Sequence, residues 1–138
     1  MTPVLVDSGF LIALYNQRES AHRRCVEAYA SVRAPLITCE ACITEALHIL
    51  DHAPPAVESI LTSIEQASLQ IPLSISDRTQ EIRQLMRKYR DTPVDFADAC
   101  LIDLANRFDT GDILTLDSDF KHYHWRRNRQ FRLLISPD

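Results

Sequence analysis

Thr2-Pro3-Val4-Leu5-Val6-Asp7-Ser8-Gly9-Phe10-Leu11-Ile12-Ala13-Leu14-Tyr15 is the stretch whose reading decides the fold. Val4, Leu5 and Val6 form a continuous apolar run with two β-branched residues. That pattern suits a strand buried on both faces, as in a parallel sheet. Asp7 and Ser8 then offer two cap-type residues, after which Leu11, Ile12, Leu14 and Tyr15 take up helical spacing. Asp7 is therefore expected at the C-terminal tip of a central strand, where open α/β sheets place their ligands. A plain helix cap is the competing reading of the same residue.

Outward from this stretch, strands and helices alternate. A second helix is expected from Ser20, with Cys25, Val26, Ala28, Tyr29 and Val32 as apolar positions, then a short strand over 35–38 and a helix over 40–51. Pro54-Pro55 ends that helix and opens the next, in which Val57, Ile60, Leu61 and Ile64 keep helical spacing. A strand is expected over 69–73. Ser76 or Asp77 would cap a helix with Ile82, Leu85, Met86 and Tyr89 inward and Arg83, Arg87, Lys88 and Arg90 outward. Pro93 should break the chain before a helix over 95–108. Strands are expected over 112–116, ending on Asp117, and over 130–135. The fold class implied is α/β, with a mostly parallel central sheet and helices on both faces.

The chain of 138 residues is expected to form one domain spanning 1–138. Its 46% hydrophobic and 25% charged residues are ordinary for a globular protein. With only 2 glycines, no Gly-rich phosphate loop is possible, which argues against a nucleotide site of that kind. A net charge of −4 does not suggest a general nucleic-acid binder, yet a cluster of metal-binding carboxylates would itself lower the charge. Residues 4–15 contain Asp7 and lack a basic lead-in, unlike a signal peptide, and no apolar run has membrane-spanning length, so no membrane partner is expected. A cytoplasmic location is the expectation. The four cysteines, Cys25, Cys39, Cys42 and Cys100, read most simply as buried thiols. Cys39 and Cys42 have C-x-x-C spacing, but a zinc site would need His48 and His52 at loose spacing, and a redox motif has no further support.

Four acids stand where a solvated acid would be unusual. Asp7 and Asp117 each end a strand and should emerge on the same edge of the sheet. Asp98 sits one turn into an apolar helix and is expected to be buried, where an acid needs a partner or a metal. The competing reading is that Asp95 caps this helix and Asp98 favours its positive end. Glu45 has no reliably charged neighbour at three- or four-residue spacing, although surface glutamates on helices are routine. Carboxylates converging in one cleft repel one another unless a cation binds them. Mg²⁺ or Mn²⁺ suits an all-oxygen site and can assist phosphodiester hydrolysis.

At this point the chain resembles PIN-domain nucleases of the VapC toxin type. Val4-Leu5-Val6-Asp7-Ser8-Gly9-Phe10-Leu11-Ile12 resembles the family's opening strand, acid and helix. Thr44-Glu45-Ala46-Leu47-His48-Ile49-Leu50, Asp95-Phe96-Ala97-Asp98-Ala99-Cys100-Leu101 and Ile113-Leu114-Thr115-Leu116-Asp117-Ser118-Asp119-Phe120 resemble its later motifs, in order. The resemblance implies a three-layer PIN-like fold and a quartet of Asp7, Glu45, Asp98 and Asp117 holding one or two Mg²⁺ or Mn²⁺ ions. It implies a metal-dependent endoribonuclease that leaves a 3′-hydroxyl and a 5′-phosphate. Ser8 and Thr115 would be supporting hydroxyls. Asp119 would either supplement Asp117 or cap the turn, and Asp95 is a cap or an outer partner. Toxin-like members are held by a small antitoxin and commonly form homodimers. The surfaces expected for such contacts are residues 10–32 and 55–67.

Lys121, Arg126, Arg127, Arg129 and Arg132 cluster with Tyr123 and Trp125 late in the chain. RNA phosphate pairing and base stacking are expected there, near the cleft mouth; the alternative is a solvated turn with Trp125 covering the core. The face carrying Arg83 to Arg90 reads as exposed helix surface. His22, His48, His52, His122 and His124 suggest no acid–base pair. A receiver domain would carry paired acids after its first strand, and a haloacid-dehalogenase-type phosphatase a second acid where Gly9 stands. The alternative retained is a catalytically silent PIN-like module that binds RNA or protein.

Overall fold

The structure is a computed structural model, and it describes residues 1–92 and 94–136. Pro93, where a break was expected, lies outside the described residues. Strands β1 (Val4–Val6), β2 (Leu36–Ile37), β3 (Leu69–Gln70) and β4 (Asp112–Leu114) join β7 (Arg132–Leu133) in a five-stranded sheet of order β3-β2-β1-β4-β7. Every pairing in that sheet is parallel. Helices α1 (Ser8–Tyr15), α2 (His22–Ser31), α3 (Glu40–Ile49), α4 (Pro54–Glu65), α5 (Ile75–Lys88) and α6 (Phe96–Phe108) cover both faces.

The pleat creates the layers. Val4, Val6, Leu36 and Leu114 pack on one side with α1, α2 and α4, while Leu5, Ile37 and Ile113 pack on the other with α5 and α6. Successive strand side chains point to opposite faces, so an uninterrupted apolar run feeds two cores at once. Arg78 and Asp103 lock α5 to α6. The guanidinium donates two bonds, Nε to Oδ2 at 3.0 Å and Nη2 to Oδ1 at 2.8 Å, to a carboxylate only 1% exposed.

Several boundaries differ from expectation. Helix α2 starts at His22, two residues after Ser20, following a turn in which the His22 N–H meets the Glu19 carbonyl. Helix α5 starts at Ile75, so Ser76 and Asp77 lie inside it rather than capping it. Met86 is exposed, not inward. Strand β4 stops at Leu114, because the Thr115 hydroxyl accepts the Asp117 N–H at 2.9 Å and turns the chain. The expected strand over 130–135 is two strands. An antiparallel hairpin of β5 (His124–Trp125) and β6 (Arg129–Gln130) precedes β7, with buried Phe131 between them. Trp125 lies against Gly111, where an added Cβ would stand 2.1 Å from its indole nitrogen.

Candidate active site

In register, Val6 of β1 stands beside Leu114 of β4, so Asp7 and Thr115 leave neighbouring strand tips together. Asp7 is 7% exposed. Its Oδ1 accepts the Phe10 N–H at 2.9 Å, which caps α1, and its Oδ2 accepts the Thr115 hydroxyl. The acid is thus a helix cap and still faces the cleft. Ser8, buried at the start of α1, donates its hydroxyl to Glu45 Oε1 across to α3. Asp98 lies in the first turn of α6, where its N–H meets Asp95 Oδ1 at 2.8 Å. Its carboxylate is half-buried rather than buried, and Oδ2 accepts the hydroxyl of the buried Tyr123 at 3.2 Å. Asp117 caps a short 3₁₀ turn, Ser118–Lys121, by accepting the Asp119 N–H at 2.9 Å.

Asp7, Glu45, Asp98 and Asp117, together with Asp95 and Ser8, line one cleft of about 310 Å³ at the C-terminal edge of the sheet. Among the described residues, no Lys, Arg or His forms an ion pair with any of these acids. The charges therefore burden one another. Burial pushes the Asp7 carboxyl up to about 6, against the Thr115 and Phe10 hydrogen bonds and with help from the Asp117 and Glu45 charges. Burial, then the Asp95 charge, pushes Asp98 up to about 7, opposed by the Tyr123 hydroxyl.

An all-oxygen, uncompensated acidic cleft fits a hard divalent cation in chemistry. Among the described residues no group of three or more Asp, Glu, His or Cys side chains is gathered in a metal-holding cluster.

Asp119 is exposed and does not line the cleft, and Asp117, not Asp119, caps the turn. Within the late basic stretch, Trp125 and Arg126 do not lie at the cleft mouth as expected. Trp125 is buried against Gly111, before β4 begins, and its indole N–H reaches the Gln130 carbonyl at 3.2 Å. Arg126 is tied to the far end of α6, its N–H 2.6 Å from Asn106 Oδ1 and its guanidinium 3.6 Å from Asp109. Asn106 lies eight residues beyond Asp98, about 12 Å along the helix. Arg126 and Arg127 both hold positive φ at the hairpin tip, and Arg129 covers the Trp125 ring at 5.3 Å. Lys121 is exposed at the end of the 3₁₀ turn. Cys39 and Cys42 lie 3.5 Å apart, free and buried, where α3 opens. A hydrogen bond to Cys100 and burial push the Cys39 thiol up to about 12, so it is not a ready nucleophile. Tyr123 is the cleft partner that sequence reasoning missed, since nothing in its spacing points to Asp98.

A family model described as PIN domain matches residues 4–125. The chain belongs to the PIN domain family. Among curated proteins no sequence match was found. In fold, the PIN chain is similar to the Mycobacterium tuberculosis VapC20, a sarcin-ricin loop cleaving toxin. The TM-score is 0.77 at 16% identity, covering 86% of this chain and 93% of that one. Within this PIN fold, β1, α3, α6 and the turn after β4 each bring one acid to the same edge.

Proposed function

We propose that this PIN domain is a metal-dependent endoribonuclease and the toxin of a toxin–antitoxin pair, working in the cytoplasm as a single domain. One observation carries the reading: four carboxylates from four separate segments line one cleft and, among the described residues, no basic side chain pairs with them. Asp7, Glu45, Asp98 and Asp117 would hold Mg²⁺ or Mn²⁺, some of them through water. When bound, the ion activates water and neutralises charge on the scissile phosphodiester. Thr115 holds Asp7 in place while accepting the Asp117 N–H, so one hydroxyl orients two acids. Ser8 orients Glu45 in the same manner. Tyr123 keeps Asp98 ionisable by donating to it. The likeness in fold to an RNA-cleaving toxin supports the choice of RNA as substrate.

The antitoxin would cover the exposed apolar side chains Val26 and Tyr29 on α2 and Leu61 on α4, and the toxin would form a homodimer. The test is cleavage of total cellular RNA by antitoxin-free protein with Mn²⁺ or Mg²⁺, with EDTA, and by Asp7→Asn. Discrete fragments that need both the metal and Asp7 support the nuclease. Identical behaviour of a folded Asp7→Asn variant and wild type would favour a silent binding module instead.

A further inference from the structure

A second concavity lies outside the acidic cleft. It is a groove of about 400 Å³ along α5 and the start of α6. Its floor includes Ile75, Met86 and Phe96, which are 40%, 38% and 43% exposed. Its rim carries Arg83 and Arg87 on α5 and Arg90 just beyond it. Among the described residues, these three guanidiniums make one side-chain hydrogen bond, from Arg83 Nη1 to Gln80 Oε1 at 2.6 Å. Three guanidiniums thus flank an apolar floor in a chain whose net charge is −4. An exposed helix surface alone explains the arginines but not the exposed phenylalanine among them.

The groove adjoins the acidic cleft. Phe96 lies between Asp95 and Ala97, and both of those neighbours line the cleft. A third hollow, lined by Glu40, Thr44, Ile75 and Phe96, shares Ile75 and Phe96 with the groove, and its Thr44 directly precedes the cleft's Glu45 in α3. We propose that this groove holds an unpaired segment of the substrate RNA next to the nucleotide being cut. Phe96 would stack an unpaired base, and Arg83, Arg87 and Arg90 would pair its phosphates. Seven residues from Arg83 to Arg90 span about 10 Å if counted as helix, enough for more than one phosphate contact. Glu40 and Asp95 border the path as acids, which would direct the strand onto the arginine rim. The inference rests on the ribonuclease reading for its substrate. An acidic protein would also suit the arginines, but the place of Phe96 between two cleft-lining residues favours the chain being cut.

The test uses the whole protein and a fluorescein-labelled, random-sequence single-stranded RNA of about 16 nucleotides. Anisotropy is measured in EDTA over a range of salt. Cleavage of the same RNA with Mn²⁺ is measured separately. The variants are Phe96→Ala and the triple change Arg83→Ala, Arg87→Ala, Arg90→Ala, each checked for wild-type unfolding. Affinity should fall about tenfold or more for the triple variant. Its log K against log salt slope should flatten by about 2, from three phosphate contacts at about 0.7 each. Phe96→Ala should weaken binding with an unchanged slope, and the charge-keeping triple change Arg83→Lys, Arg87→Lys, Arg90→Lys should keep most of the slope. In cleavage, the triple change should raise KM and leave kcat nearly intact. Unchanged affinity and slope in the triple variant, or no binding by wild type, would overturn the proposal. So would unchanged RNA binding with a smaller assembly on size-exclusion chromatography, which would assign the groove to contact between proteins. If the arginines prove necessary for binding but no RNA is cut, the groove stands and the nuclease reading falls.

Discussion

Replacing Asp7 with asparagine should stabilise the metal-free protein at neutral pH while abolishing its response to metal. The folded chain holds this carboxyl at about 6 against an ordinary 3.8, with burial as the main cause. An acid raised in this way makes the folded state bind more protons than the unfolded one. The resulting penalty is absent below pH 3.8, grows between 3.8 and 6, and is complete above 6. At about 1.4 kcal/mol per pH unit the full penalty is about 3 kcal/mol. Asparagine removes the charge and keeps an oxygen for the Phe10 N–H. It cannot accept the Thr115 hydroxyl through an NH₂ group, so the Thr115 O–H loses its acceptor. That mismatch costs about 1–2 kcal/mol. The net gain at pH 7.5 is about 1–2 kcal/mol, or roughly 4–8 °C in Tm for a chain of this size. At pH 4 the gain should vanish or reverse. Thermal and urea unfolding in EDTA at pH 4, 5, 6 and 7.5 would measure it. Adding Mg²⁺ at about 100 times its Kd should raise wild-type stability by about 2.7 kcal/mol and leave the variant unchanged. A variant less stable than wild type at pH 7.5, or a gain independent of pH, would refute the account of an uncompensated buried charge.

Tyr123→Phe should move the acid limb of the cleavage profile to higher pH, because it removes the hydroxyl that lowers the Asp98 carboxyl; a pH–rate series against wild type checks the sign. Arg78→Ala should cost about 3 kcal/mol in urea unfolding, since it leaves the 1%-exposed Asp103 carboxylate without its bidentate partner. An unchanged midpoint would mean that α5 is held mainly by its apolar contacts. Gly111→Ala should cost about 1–3 kcal/mol through overpacking and shift the fluorescence of Trp125 to the red as the indole is displaced; the chain has one tryptophan, so the signal is unambiguous.

Much of the architecture was legible in sequence where one local rule decided each element. Residues 4–15 read correctly as strand, acid and helix because a doubly buried strand is continuous in apolar residues and a cap follows it directly. The parallel sheet followed from alternation of elements. What failed depended on contacts between distant segments. Strand β4 ends early because Thr115 bonds Asp117 and Asp7 together, and the strand expected over 130–135 divides because Phe131 is buried between two different partners. Met86 has helical spacing but lies in an open groove, which no pattern within α5 could indicate.

By itself the sequence determined the order of strands and helices as far as β4, the positions of Asp7, Glu45, Asp98 and Asp117 along it, and an absence of Gly-rich phosphate loops. Tertiary structure alone decided which side chains stand beside those acids. It brought Tyr123 onto Asp98, set Thr115 between Asp7 and Asp117, and carried Trp125, Arg126 and Arg127 away from the cleft. The physical reason is range. Periodicity and capping act over a few residues and are written locally, whereas burial and charge depend on chain segments brought together only by the packed sheet.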